Sequence, residues 1–102
     1  MPEMRFLIRW PDGVREACYS PSLIIKDYFA AGATYPLADF LERSRIALGI
    51  ASDRVKAKYG WPCSRALGQI ARIEAAALQY AVAPDPRVTV EAFEEYPPEP
   101  MS

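Results

Sequence analysis

Residues 4–20 alternate apolar and polar side chains around one tight turn, and this commits the start of the chain to a β-hairpin with one face to bury. Met4, Phe6, Ile8 and Trp10 are separated by Arg5, Leu7 and Arg9, a period of two. Pro11-Asp12-Gly13 supplies the turn. Proline presets φ, aspartate suits the next position, and glycine accepts the positive φ that a three-residue loop needs. Val14 to Ser20 is the return strand. Pairing Trp10 with Val14 sets Phe6 opposite Cys18, Leu7 opposite Ala17 and Arg5 opposite Tyr19. Met4, Phe6, Ile8, Trp10, Val14 and Cys18 are then expected in the core. Arg5, Leu7, Arg9, Arg15, Ala17 and Tyr19 take the other face.

The cover comes from two helical stretches. Residues 36–59 begin with Pro36 and stop before Gly60, the usual asymmetry of helix ends. Leu37, Leu41, Ser44, Leu48, Ala51, Val55 and Tyr59 recur in steps of three and four, widened by Phe40, Ala47 and Ile50. At ~1.5 Å per residue such a helix is ~36 Å long and spans the whole domain. After Gly60-Trp61-Pro62 a second helix is expected over about 63–82. It carries two apolar stripes: Leu67, Ile70, Ala71, Leu78 and Ala81, assigned to the core, and Ala66, Ile73, Ala77 and Tyr80. A helix of this kind can be covered on two sides. Ala-Pro-Asp-Pro at 83–86 ends it, and Arg87 to Glu95 alternates as a third strand. Val88, Val90 and Ala92 fall on one face, and Thr89, Glu91, Phe93 and Glu95 on the other. Between hairpin and long helix, Ser20-Pro21-Ser22 suits a helix opening, while Leu23-Ile24-Ile25 suits a helix or an extended run equally. Ala30-Ala31-Gly32-Ala33 marks a break. The expected fold is α+β, with order β-β-α-α-β and a short extra helix possible after strand two. Three strands pack on a helical hairpin in two layers, the third strand parallel to the first. Residues 1–95 are expected to form one domain, and Tyr96-Pro97-Pro98-Glu99-Pro100-Met101-Ser102 an extended or mobile tail.

The chemistry available to the chain is narrow. Its 102 residues contain no histidine, which excludes Ser-His-Asp and Cys-His catalysis and mixed-histidine zinc sites. Two cysteines cannot build a four-cysteine cluster, so no metal or cofactor is expected. A net charge of −1 disfavours nucleic acid, which requires an excess of Lys and Arg. The N-terminus lacks the pattern of a signal peptide, and no apolar run approaches the ~20 residues of a membrane span. A cytoplasmic protein with no membrane partner is the expectation, with Cys18 and Cys63 as free thiols.

Three stretches carry a family resemblance. They are Met1-Pro2-Glu3-Met4-Arg5-Phe6 with Arg9-Trp10-Pro11-Asp12-Gly13; Cys18-Tyr19-Ser20-Pro21-Ser22 through Lys26-Asp27-Tyr28-Phe29 and Tyr35-Pro36-Leu37-Ala38-Asp39-Phe40; and Lys58-Tyr59-Gly60 through Cys63-Ser64-Arg65-Ala66-Leu67. In this order they resemble the small bacterial nitrogen starvation response proteins first named from mycobacteria, over nearly the whole chain to about Phe93. The resemblance implies a gene cluster with a nitrilase, a radical-SAM enzyme, a flavin-dependent oxidoreductase and an acetyltransferase-like protein. It implies a link to nitrogen limitation and nitrile metabolism, and carries no catalytic residues with it.

Two local features bear on chemistry. Lys26, Asp27, Tyr28 and Tyr35 lie in the densest polar and aromatic segment, residues 19–39, and are the ligand-binding candidates. A lysine charge and a tyrosine donor could hold an anion or a carbonyl. The plainer account is a loop pinned by tyrosine hydroxyls. Cys63 opens the second helix near Arg65, where a helix N-terminus favours a thiolate, and is the reactive-thiol candidate. No base accompanies it, and cysteine is commonly just buried. Arg5, Arg9 and Arg15 share a sheet face, with Glu91 and Glu95 expected to neutralise them across strands. The same face would carry Leu7, Tyr19 and Phe93, which makes these three the interface candidates for a homodimer or for an enzyme of the same cluster. A non-catalytic accessory protein is therefore the leading expectation. A small enzyme or small-molecule binder with a Lys/Asp/Tyr pocket in residues 19–39 is the alternative.

Overall fold

The computed structural model describes residues 3–95. The proline-rich tail expected at 96–102 lies outside them. Along the chain run β1 (Met4–Arg9), β2 (Arg15–Ser20), α1 (Ile25–Tyr28), β3 (Ala33–Pro36), α2 (Leu37–Tyr59), α3 (Ser64–Ala77), a 3-10 turn at Leu78–Tyr80, and β4 (Arg87–Glu95). The fold is α+β. Its sheet has four strands rather than three, in the order β2-β1-β4-β3, all neighbours antiparallel.

The hairpin register follows its turn. Met4 pairs with Ser20, Phe6 with Cys18 and Leu7 with Ala17. Gly13 has φ 90°, and its N–H donates to the Trp10 carbonyl at 2.8 Å. Met4, Phe6, Ile8, Trp10 and Cys18 are buried in the core as expected. Val14 is 54% exposed, because it belongs to the turn, ahead of β2, rather than to the sheet. Residues 25–28 are helical, which resolves the ambiguity in that segment.

The fourth strand begins at the end of the segment read as a break and includes Pro36, the residue expected to open the long helix. Residues 33–36 pair with Val90 to Arg87 along the far side of β4. This short strand carries the chain from the Ser20 end of the sheet to the Trp10 end before α2 begins. The helical hairpin leaves and returns at that end, so β4 enters beside Arg9 and runs antiparallel to β1, not parallel to it. One missed strand therefore reverses the direction of everything after it.

β4 also breaks its own alternation. Ile8 pairs with Val90 but Leu7 pairs with Ala92, so Glu91 is an inserted residue, a β-bulge. Beyond it the faces exchange. Phe93 stands opposite Phe6 and packs against the core, and Ala92 stands opposite Leu7 on the outer face. The expected placement of Phe93 on the outer face fails for this reason.

α2 ends on Gly60 at φ 94°, whose N–H closes onto the Lys56 carbonyl at 2.8 Å. Its core stripe is largely as expected, with Leu37, Phe40, Ser44, Ala47, Leu48, Ala51 and Ser52 buried, while Tyr59 is exposed. On α3 the two stripes trade places: Ala66, Ile73 and Ala77 are buried, whereas Leu67, Ala71, Leu78 and Ala81 are exposed. Only Ile70 of the stripe assigned to the core packs against it. The alanines at 66 and 77 allow α3 close to its neighbours, and Ile73 fills the space between.

The helices are not a flat second layer. α3 also overhangs the edge of β2, where the Gln69 side-chain oxygen accepts from the Tyr19 N–H at 2.9 Å. Arg72 pairs with Glu16 at 2.6 Å. An open sheet edge invites pairing with another chain; here one edge is shielded by α3 and the other is four residues long.

Candidate functional site

The four ligand-binding candidates do not converge. Lys26 is exposed and paired with Glu95. Asp27 is exposed on the same single turn of helix. The Tyr28 carbonyl accepts from Arg43 Nη1 at 2.7 Å. Tyr35 is half-buried against Phe29, ring centroids 5.2 Å apart and nearly perpendicular, and Arg43 lies over its ring at 5.0 Å. Its hydroxyl accepts from the Ala30 N–H at 2.8 Å. Tyr35 thus fastens the turn between α1 and β3.

Cys63 lies just ahead of α3, half-buried, its N–H donating to Ser52 Oγ at 3.1 Å. Ser52 is itself buried, so this bond fixes where α3 starts relative to α2. Cys63 lines a groove of about 190 Å³ with Glu3, Tyr19, Pro21, Val55 and Tyr59. Arg65 covers the Tyr19 ring at 3.8 Å. Partial burial, helped by the Glu3 carboxylate, pushes the Tyr19 hydroxyl up to about 12. Cys18 is a free thiol in the core, and burial raises its pKa far above the ordinary range.

The outer sheet face carries paired charge. Glu91 takes both Arg9, at 3.6 Å, and Arg15, at 3.2 Å. The bulge hands the third arginine to a different partner than expected: Arg5 pairs with Glu94, and Glu95 turns to Lys26. Leu7 is half-buried among these side chains, in a shallow groove of about 290 Å³ with Arg15, Glu16, Ala17 and Glu91. The three interface candidates therefore do not share one surface. Leu7 and Tyr19 are on the outer face, Tyr19 beneath Arg65, whereas Phe93 faces the core.

A fourth surface combines features that sequence reasoning assigned elsewhere. Between α2 and α3 lies an apolar groove of about 260 Å³ lined by Leu37, Leu41, Ala75, Ala77, Leu78 and Ala81. Arg45 and Glu74, paired at 2.6 Å, stand on its rim. Beside it, Leu67, Ala71, Ala75, Leu78 and Val82 are all exposed, with Leu78 at 75% and Val82 at 95%. At 3.6 residues per turn Leu67, Ala71, Ala75 and Leu78 fall within an arc of about 80°. Beyond α3 the chain tightens into the 3-10 turn at Leu78–Tyr80, and Val82 follows it, exposed. The doubled apolar pattern of this helix was its signal in the sequence.

These elements define a small α+β protein with an antiparallel sheet, one face of which is packed beneath a helical hairpin with an exposed apolar outer side. The chain belongs to the family of the nitrogen starvation-induced protein NitG, whose model matches residues 5–93. No curated protein and no solved structure matches it. No helix among the described residues is long and apolar enough to cross a membrane.

Proposed function

We propose that the chain is a cytoplasmic, non-catalytic accessory protein of nitrogen starvation that works by association, with a second copy and with an enzyme of the nitrilase-linked cluster its family resemblance implies. The exposed apolar stripe of α3, continuous with the α2–α3 groove, carries this reading. Helix faces of this kind cost solubility when left open and are characteristic of docking surfaces. The reading built on a Lys/Asp/Tyr pocket has less support, because Lys26, Asp27, Tyr28 and Tyr35 line none of the three grooves described above.

The test is direct titration of the purified chain into each purified enzyme of the cluster, nitrilase first, with mass read by light scattering. A complex of defined stoichiometry is the expected result. Failure to bind any of them, together with turnover of a nitrile or amide by the chain alone, would replace this reading with that of a small enzyme.

A further inference from the structure

We infer that the occupant of the α3 stripe is a second copy of this chain, docked antiparallel across a two-fold axis that passes near residues 74 and 75. The inference rests on the proposed role in association and specifies the partner and the contact. Three observations favour a second copy over an unrelated protein.

The first is size matching along the stripe. Turned about an axis between 74 and 75, Leu78 of one copy meets Ala71 of the other. The exposed Leu78 of each copy, at 75%, then meets a small side chain at the middle of the contact. Alanines at 71 and 75 let the two helices approach closely, with Leu78 as the knob that fills the space they leave.

The second is charge. Arg45 and Glu74 stand together on the rim of the groove, with side chains 51% and 43% exposed. A rim bearing one charge of each sign near a two-fold axis complements itself: each Glu74 can lie between its own Arg45 and the other copy's. A partner of one dominant charge would leave one member of the pair opposed.

The third is area. α3 and the turn after it are about 25 Å long, and with the flank of α2 the contact is about 20 Å wide, a footprint of ~500 Å² per copy. This is below the usual size for specific association, so the dimer is expected to be weak and concentration-dependent.

Sedimentation velocity from about 1 to 200 μM tests the inference. The wild type is expected to pass from monomer to dimer across this range, and Leu78→Glu to weaken the dimer at least tenfold. Leu7→Glu, on the outer sheet face, is expected to leave it intact. An equimolar mixture of Arg45→Glu and Glu74→Arg is the decisive arm. Across the axis the two variants present only opposite charges to each other, so the mixed dimer should form at least tenfold more tightly than either variant alone. Ala75→Cys should also give a covalent dimer on mild oxidation. A monomeric wild type at 200 μM overturns the inference and the second-copy part of the proposed association, but not docking on a cluster enzyme, which the titration reads separately. A dimer indifferent to Leu78→Glu, or charge variants with no preference for each other, overturns the placement of the contact.

Discussion

The bulge at Glu91 makes a prediction in which simple strand alternation and the observed register give opposite answers. Alternation from Val88 puts Ala92 in the core and Phe93 outside; the register puts Phe93 opposite Phe6 and Ala92 opposite Leu7. Phe6 is fully buried, and Phe93 packs half-buried against the same cluster. A fully buried phenylalanine costs about 3–5 kcal/mol when cut to alanine, so at partial burial Phe93→Ala is expected to cost about 2–3 kcal/mol. For a domain of this length that is a fall in melting temperature of roughly 10–20 °C. Ala92→Ser adds a small polar group to an outer-face position and is expected to stay within about 0.5 kcal/mol. Urea unfolding followed by tryptophan fluorescence reads both, through Trp10 in the core. The transition midpoint for Phe93→Ala should move by about 1–2 M and that for Ala92→Ser hardly at all. The reverse ranking would mean that β4 keeps strict alternation and that the bulge assignment is wrong.

Three further outcomes follow from the packing. Phe6→Ala removes a ring that stacks on Phe29 at 6.0 Å in the centre of the core, and should cost about 3–5 kcal/mol in the same melts; a loss below about 1 kcal/mol would put the hairpin's faces the wrong way round. Stability should fall as pH rises from about 10 to about 12, since in that window an unfolded chain releases the Tyr19 proton while the folded one keeps it; below pH 10 both states hold that proton, and the loss that begins near pH 9 belongs to the buried Cys18. Tyr19→Phe should flatten that decline, and an unchanged slope would refute the assignment. In native protein a thiol reagent should label one cysteine, Cys63, and leave the buried Cys18 until the chain unfolds, so two labels at equal rates would contradict the structure.

What the sequence by itself determined was local. Pro11-Asp12-Gly13 sets the hairpin register, because a turn's geometry decides which residues face each other across it. Pro36 and Gly60 bracket α2, because a missing N–H and a left-handed φ mark helix ends wherever they occur. What only the tertiary structure decided was how these pieces meet. Residues 33–36 form a strand because β4 is beside them, with a pairing partner more than fifty residues away in the chain. Glu91 is a bulge only in the pairing of β4 with β1, which alternation within one strand does not contain, and it moves Phe93 into the core and gives Glu94 to Arg5. α3 presents two apolar stripes of similar strength, and helical periodicity ranks neither. The stripe with alanines at 66 and 77 fits against α2 and the sheet, so Leu67, Leu78 and Val82 are left outside. The same choice, made by packing volume rather than by hydrophobicity, leaves the apolar surface that we propose for association.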